Sequence, residues 1–368
     1  MTTNQLYHTL MQQIEQILPK ERVTRRRVLA WLMTCLFLGR NPHATRLGNK
    51  IPGKAKKLSK AERLRRWLKN KHVRVRRWYE PVAQQLIAQV VTSGQPLRLI
   101  VDGTRIGNHH QLLMVAIAYR RRALPLAWTW VRCRRGHSST HKQLALLHYV
   151  HRLLPADLSV QFVGDSEFGA VPVLKQLEAW SWQYVLRQKG RYLVSAAPAD
   201  SWVRYDALLT QVGQRIWLPQ SRFTQKHAHQ TTLLAVWRRG EKHPWFLVTN
   251  LPEASLALRL YTRRMWIEEM FGDLKSNGFD LESIRLRHFL RLSRFTLAAV
   301  LLYVWLVAFG SKTIKVGKRH FVDRNKQRQL SLFRIGYDML ERCLINREAF
   351  SLRLIPYFWQ TVGLLVQK

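Results

Sequence analysis

Apolar positions in the first quarter of the chain recur at helical spacing. Val28, Leu32 and Leu36 follow one another every four residues, the repeat of one helix face. The segment Ser59–Glu62, preceded by Leu58, has the form of a capping box, with a Ser whose side chain caps a helix and a Glu three residues later. The pattern predicts a helical region over residues 1–95, including a short helix from Ser59 to Leu68.

From Pro96 the pattern changes to short, alternating apolar runs that are typical of strands. These runs and the helical segments between them predict three strands in a meander, then helix, strand, helix and strand, at 97–102, 112–119, 124–131, 140–153, 158–165, 170–180 and 182–188. This order predicts an α/β domain with a mixed sheet, of the RNase H-like kind. Strand-like runs continue over 191–250, and a long helix is predicted from Pro252 to about Ser276.

One segment is apolar enough to raise the question of a membrane. The run Phe295–Phe309 is 15 residues long, whereas a spanning helix needs about 18–20 residues. Basic stretches flank it on both sides and no second such run exists, so we expect a helix buried inside a soluble protein. The first twenty residues lack the basic and apolar parts of a signal peptide.

The charge points to a polyanionic partner. The chain of 368 residues carries 61 Lys and Arg against 22 Asp and Glu, a net charge of +39. Between Arg46 and Arg77 there are fourteen basic residues and one acid, Glu62. Contact with the DNA backbone is therefore favoured over a merely solvated charged face. The candidate residues of this run are Lys54, Lys56, Lys57, Arg63, Arg65, Arg66, Lys69, Arg74, Arg76 and Arg77.

The number and placement of the cysteines indicate the cellular compartment of the protein. The sequence has three, Cys35, Cys133 and Cys343, an odd number placed far apart. This usage excludes a secreted disulfide scaffold and suits a reducing cytoplasm, where a nucleic-acid-binding protein would be associated with the nucleoid. The pairs Cys133–His137 and His227–His229 find no second pair at zinc spacing, so we expect no structural zinc.

Acidic residues end two of the predicted strands. Asp102 closes LRLIVD and Asp165 closes LSVQFVGD, and strand ends are where ligands bind in α/β sheets. Two neighbouring carboxylates repel unless a cation neutralises them, and their oxygens suit Mg²⁺. Alternatively, Asp102 belongs to an Asp-Gly turn and Asp165 caps a helix. Glu167 could share the site, although an outward orientation on the following turn is the expectation.

A third acid comes from the helix predicted after Pro252. Tyr261, Arg264, Glu268 and Lys275 are spaced by three, four and seven residues, which places them within about 60° on one face of a continuous helix. Glu269 would point about 100° away, so the spacing selects Glu268. The alternative is a surface stripe with an Arg264–Glu268 salt bridge.

The spacing Tyr-(2)-Arg-(3)-Glu-(6)-Lys resembles the signature of the cut-and-paste DDE transposases of bacterial insertion sequences, the YREK type. The similarity extends through WFLVTNLPEASLALRLYTRRMWIEEMFGDLKSNGF (245–279), and more loosely to IVDGT and VGDSEFG. It covers the core from about residue 97 to residue 310. The 103 residues between Asp165 and Glu268 exceed what the core needs, and 191–250 lies where this family has a β-insertion domain.

This resemblance implies a mechanism and its residues. Asp102, Asp165 and Glu268 would hold two Mg²⁺ ions, for which Mn²⁺ would substitute, one activating water or a 3′-hydroxyl and the other stabilising the leaving oxygen. Tyr261, Arg264 and Lys275 would bind phosphates near the cut. Trp245 would stack on a flipped base, or else be an ordinary core tryptophan.

The same resemblance implies binding of the terminal inverted repeats, excision through hairpin ends, joining to target DNA, and a homodimer in the synaptic complex. No Gly-rich phosphate loop is present, so no nucleotide cofactor is expected. The alternatives are a structure-selective nuclease on the same fold, a catalytically idle DNA-binding protein derived from a transposase, and, more remotely, a basic protein of membrane surfaces.

The expected fold class is α/β, an RNase H-like mixed-sheet catalytic core interrupted by a β-rich insertion domain, with helical regions at both ends. We expect five regions, namely a helical basic DNA-binding region at 1–95, the first part of the core at 96–190, the β-strand insertion domain at 191–250, the second part of the core with the catalytic-Glu helix at 251–310, and a helical basic region at 311–368.

Overall fold

The computed structural model of the chain describes residues 2–107, 110–132, 137–196, 201–353 and 355–358. The chain divides into two compact units. The first consists of Met1–Gly94, Ile106–Asn108 and Met270–Lys368, and the second of Gln95–Arg105 and His109–Glu269.

The first unit is helical. Its helices are α1 (Thr2–Ile17), α2 (Val23–Gly39), α3 (Ala44–Gly48), α4 (Lys57–Lys69), α5 (Val75–Val91), α10 (Phe289–Lys315) and α11 (Leu332–Ile345). The prediction of a helical region over 1–95 is confirmed. The predicted capping box is wrong, because α4 begins at Lys57 rather than after Ser59, and its start has no side-chain cap.

The apolar helix α10 is the centre of this unit and contacts α2, α4, α5 and α11. It crosses α11 where Gly310 faces Gly336, and a side chain on either glycine would overlap backbone atoms of the other helix. The one buried charge near its start, Arg294, donates to the carbonyl oxygens of Val73 at 3.1 Å and Leu68 at 2.8 Å. These bonds satisfy its guanidinium, as burial requires.

By length and composition α10 could cross a membrane, since it has 27 residues rather than the 15 of the apolar run. The length argument made from the sequence is therefore wrong. However, 94% of its apolar window is buried inside the protein. The prediction of a buried helix is confirmed on this ground.

The second unit contains one ten-stranded sheet. The strands are β1 (Leu97–Ile106), β2 (His110–Tyr119), β3 (Arg122–Arg132), β4 (Val160–Gly164), β5 (Gln183–Arg187), β6 (Leu193–Ser195), β7 (Val203–Arg204), β8 (Arg215–Phe223), β9 (His229–Val236) and β10 (Trp245–Thr249). They are arranged in the order β3-β2-β1-β4-β5-β10-β9-β8-β6-β7. The helices α6 (Thr140–His151), α7 (Val171–Ala179), α8 (Ala254–Tyr261) and α9 (Met265–Leu274) follow along the chain.

The pattern of strands and helices predicted over 97–188 is confirmed, with ends that differ by a few residues. Strands β1, β4 and β5 are parallel, whereas β2 with β3 and every pair from β5–β10 outward are antiparallel. The strands of 191–250 continue this same sheet, through β10 beside β5. The boundary of a separate insertion domain at 191 and 250 stays a prediction.

The long helix predicted from Pro252 to about Ser276 is wrong. Helix α8 ends at Tyr261, a 3₁₀ turn occupies Thr262–Arg264, and α9 begins at Met265. A 3₁₀ turn advances three residues per turn rather than 3.6, so side chains on the two helices do not follow one regular projection.

Candidate active site

Asp102 and Asp165 meet at one edge of the sheet because of the register of β1 and β4. These strands are parallel, and Val101 pairs with Gly164, so each aspartate is the next residue on its strand or just beyond it. Neighbouring strands lie about 4.8 Å apart, which brings the two side chains together. A side chain at Gly164 would overlap that of Val101, so the close packing of this edge requires glycine there.

Arg264 joins Asp102 to Glu268. Its Nη1 lies 3.3 Å from Oδ2 of Asp102 and 2.5 Å from Oε1 of Glu268. The first two side chains are largely buried, at 12% exposed for Arg264 and 14% for Asp102, whereas Glu268 is 43% exposed. The 3₁₀ turn therefore places the Arg264 guanidinium between the buried carboxylate of Asp102 and the accessible carboxylate of Glu268.

The Asp102 carboxyl is strongly perturbed. Burial raises its pKa to about 7, and the negative charges of Asp165 and Glu268 add to this effect. Arg264 and the backbone N–H of Gly103, which donates to Oδ1 at 2.7 Å, oppose the rise. Conversely, the pKa of Arg264 is raised by the charges around it, although burial works against this. The three acids and Arg264 therefore form one electrostatically coupled group, and such groups are typical of functional sites.

Tyr261 lies beside this group at the end of α8. Burial raises the pKa of its hydroxyl, while the charges of Arg264 and Arg187 lower it. Its ring meets that of Trp245 edge to face, with centroids 5.0 Å apart. The guanidinium of Arg238 covers Trp245 at 4.4 Å, so one face of the proposed base-stacking ring already has a cation on it.

Lys275 follows the end of α9, and its Nζ lies 2.9 Å from Oε1 of Glu282. The prediction that Tyr261, Arg264, Glu268 and Lys275 share one face of a continuous helix is wrong, because the 3₁₀ turn interrupts that helix. The Arg264–Glu268 salt bridge at i,i+4, which was part of the alternative interpretation as a surface stripe, is present, although Arg264 is only 12% exposed. Glu269 instead pairs with Arg122 at 3.1 Å.

Glu167 points inward, so its expected outward orientation is wrong. Its side chain is 10% exposed. Its Oε2 accepts from the side-chain amide of Gln111 at 2.9 Å, and its Oε1 accepts from the backbone N–H of Ser138 at 2.7 Å and from the Ser138 hydroxyl. Gln143 donates to its carbonyl oxygen at 3.0 Å. Glu167 thus ties the turn that follows Asp165 to β2 and to the segment before α6.

The basic residues predicted to contact DNA lie on α4 and in the segments on either side of it. They are exposed, except that Arg65 is half-buried and pairs with Glu62 at 3.4 Å. Lys69 lies 4.0 Å from the same acid. The tryptophans among them, Trp67 and Trp78, are buried and face the core.

The structure tests only part of the predictions about cysteines and zinc, because some of the residues lie outside the described ranges. Cys35 and Cys343 are free and buried, whereas Cys133 lies outside the described residues. The ring of His229 contacts Glu178 at 3.1 Å. Within the described ranges, no group of three His, Cys, Asp or Glu side chains is gathered as a metal cluster.

Comparison with known proteins identifies the family. Residues 93–305, more than half of the chain, match the family described as "Transposase DDE domain". The chain belongs to the DDE transposase family. The matched residues include both strands with the aspartates and the helix with Glu268. The RNase H-like α/β fold class predicted from the sequence is confirmed, with a mixed sheet and helical regions at both ends of the chain.

The comparison with solved structures gives a similarity at low sequence identity. A solved structure described as "Cryo-EM structure of piggyBac transposase synaptic complex with hairpin DNA (SNHP)" is similar with a TM-score of 0.42 and 12% identity. The similarity covers 93% of this chain and 78% of that chain. A comparison with curated proteins gives no match.

DDE transposases generally use divalent metal ions, and the residues of this site fit them. Asp102 and Asp165 at the sheet edge interact electrostatically with each other and with Glu268 on α9, and hard oxygen donors are the ligands that Mg²⁺ and Mn²⁺ prefer. The Arg264 guanidinium is the counter-ion of two of these carboxylates. In the described part of the chain Arg264 neutralises these carboxylates, and they are not gathered as a metal cluster.

Proposed function

We propose that this DDE transposase is a DNA-cutting and DNA-joining enzyme that moves an insertion sequence of the YREK type. The observation that carries the proposal is the coupled group of Asp102, Asp165 and Glu268, which lies inside the residues matched to the family. DNA binding alone does not require three neighbouring carboxylates, since their negative charge would repel the phosphate backbone.

In this proposal Asp102, Asp165 and Glu268 are the catalytic residues and hold two Mg²⁺ ions, for which Mn²⁺ would substitute. Bound there, the metal would lower the pKa of the attacking water or 3′-hydroxyl and stabilise the leaving oxygen. The residues contribute placement, because the Gly103 N–H donates to Asp102 and Arg264 pairs with Glu268, which is 43% exposed. Water or a 3′-hydroxyl is the nucleophile, and the leaving group is the 3′-oxygen of the cut strand or of the target.

Arg264, Tyr261 and Lys275 would bind the phosphates nearest the cut. Arg264 and Lys275 are cations, and their carboxylate partners Glu268 and Glu282 are partly exposed, at 43% and 51%. A phosphate could therefore replace Glu268 or Glu282 as the partner of each cation while Asp102 stays paired with Arg264. Trp245 would stack on a base near the element end during excision through a hairpin, with the Arg238 guanidinium on the other face of its ring.

The binding of double-stranded DNA, the homodimer and the location of the protein are proposed from its charge and its family. The exposed basic residues around α4 would bind double-stranded DNA at the terminal inverted repeats. Pairing of two ends would require a homodimer in the synaptic complex. We further propose a bacterial, cytoplasmic, nucleoid-associated protein with no nucleotide cofactor.

The experiment that tests this proposal uses a supercoiled plasmid carrying the gene and its flanking DNA. Purified wild-type protein, Glu268→Gln and Glu269→Gln are incubated with Mg²⁺. We expect wild type and Glu269→Gln to cut, and Glu268→Gln to lose at least about two orders of magnitude in rate. Glu269 is the matched control because it is the adjacent acid and pairs with Arg122 instead. Equal cutting by all three proteins would contradict the proposal.

A further inference from the structure

Three arginines of the second unit lie together without an acidic partner. They are Arg98 on β1, Arg259 on α8 and Arg263 in the 3₁₀ turn. Burial, together with the charges of Arg98 and Arg259, lowers the pKa of Arg263. Burial also lowers the pKa of Arg98, and its Nε is buried without a hydrogen-bond partner. Among the described residues, none of the three takes part in a salt bridge.

This arrangement differs from that of Arg264, the neighbour of Arg263. Arg264 is buried between two carboxylates and is neutralised. Arg98 and Arg263 are half-buried next to other positively charged side chains, and the exposed Arg259 adds a third cation. Holding desolvated cations together costs free energy, because each raises the potential at the next one. Such a cost is usual where a protein binds a ligand of opposite charge.

The register of the sheet places Arg98 on the same face as Asp102. Arg98 and Asp102 are four residues apart on β1, and residues at even spacing point to one face of a sheet. The distance between them along the strand is about 13 Å, at about 3.3 Å per residue. Helix α8 contacts β4 and β5, and the turn with Arg263 contacts β4.

The residues that lie beside Arg98 on the neighbouring strands β4 and β5 are polar. Arg98 pairs in register with Gln161, and Gln161 with Gln183. The Gln161 amide donates to Oε1 of Gln183 at 3.1 Å. Both glutamines are half-buried, and amide groups can bind the oxygens of a ligand where an apolar row could not.

We propose that Arg98, Arg259 and Arg263 form a phosphate-binding site for the DNA strand that enters the active site. Arg98 lies about 13 Å from Asp102 along β1, a separation that only a few nucleotides of one DNA strand span. The arginine cluster thus fixes the register of the strand, so that one phosphodiester reaches the carboxylates. The inference rests on the proposed function, because it takes DNA as the substrate.

The test measures DNA binding without any cutting. A short fluorescent DNA duplex is titrated with full-length protein in EDTA at several salt concentrations. The variants are Arg98→Gln and Arg263→Gln, singly and together. Each single variant should lower affinity several-fold and reduce the slope of log K against log salt by about 1. The matched control is Arg204→Gln, an exposed arginine of the same unit that pairs with Asp206 at 2.6 Å.

A second measurement distinguishes a binding role from a structural one. Without DNA, Arg98→Gln should melt at the same temperature as wild type or higher, since it removes repulsion among the arginines. With DNA present, the gain in melting temperature should be smaller for the variant than for wild type. A structural role would instead lower the melting temperature in both conditions.

The failures of the two proposals are separable. If wild type binds DNA steeply but both variants keep the affinity and salt slope of Arg204→Gln, the arginine cluster is not a phosphate site. A lower melting temperature of the variants without DNA, at unchanged salt slope, would contradict it equally. If wild type does not bind DNA at all, the proposed function fails together with this inference.

Discussion

A single residue, Asp102, shows how the site is built. It is placed by β1 and buried at the sheet edge, the parallel register with β4 keeps it near Asp165, and Arg264 links it to Glu268 on α9. Burial raises its pKa to about 7 even though the Arg264 guanidinium lies beside it. Burial therefore outweighs the adjacent positive charge at this position.

The first prediction concerns pH. Because the pKa of Asp102 is raised, the folded protein binds a proton that the unfolded chain releases near pH 4. This stabilisation is fully present below about pH 4 and is lost as the pH rises through about 7. It amounts to about 4 kcal/mol, so wild type should lose stability relative to Asp102→Asn between pH 4 and pH 8. Urea unfolding in EDTA checks this, and parallel profiles for the two proteins would contradict it.

The second prediction concerns Glu167. Replacing it by Ala leaves the N–H and hydroxyl of Ser138 and the Gln111 amide without their acceptor, at a cost of about 2–4 kcal/mol. Glu167→Gln should cost less, because the Gln111 amide can flip and present its unpartnered Oε1 to the new amide. Chemical denaturation of the two variants measures the difference. An Ala variant as stable as wild type would show that these bonds are not stabilising.

At this scale the sequence is informative about Asp102 and Asp165, because a strand pattern ending in an acid is encoded locally. The orientation of Glu167 could not be predicted, since its partners Gln111 and Ser138 are distant in the chain. The one sequence feature that pointed to a role for Glu167 was its position two residues after Asp165, in a chain with only 22 acidic residues.

Among the elements, the 3₁₀ turn at Thr262–Arg264 has the largest consequence. It breaks a helix that the sequence predicts to be continuous, since no glycine or proline marks the break. The contacts of the turn with β4 and of Arg264 with Asp102 belong to the tertiary structure. Periodicity alone could therefore predict the Arg264–Glu268 pair but not the position of Lys275.

The third prediction belongs to the crossing of α10 and α11. A methyl group at Gly336 would overlap the carbonyl oxygen of Leu306, which is backbone and cannot rotate away. Gly336→Ala should therefore destabilise the protein by about 1–3 kcal/mol or more. The matched control is Gly39→Ala at the end of α2, where the new methyl group meets side-chain carbons of Leu47 at 3.5 Å and Lys50 at 3.9 Å, both at ordinary contact distance. Thermal melting compares them, and equal melting temperatures would refute the tight crossing.

For the whole molecule, composition and chain order predict the α/β core and its helical flanks. The ten-stranded continuity of the sheet could not be predicted, because strand pairing across 191–250 depends on long-range register. The length of α10 was hidden as well, since polar residues extend it beyond its apolar run at both ends. Its burial is a property of the folded unit and not of its own sequence.

The central claim is that Asp102, Asp165 and Glu268 cut DNA at the ends of the element that encodes this chain. The direct test is a linear DNA containing the gene with flanking sequence on both sides, incubated with Mg²⁺ and wild-type protein or Glu268→Gln. We predict paired double-strand cuts that bound the gene, joining of the released fragment to a target DNA, and neither with the variant. Scattered cuts, or cuts that persist in Glu268→Gln, would contradict the account.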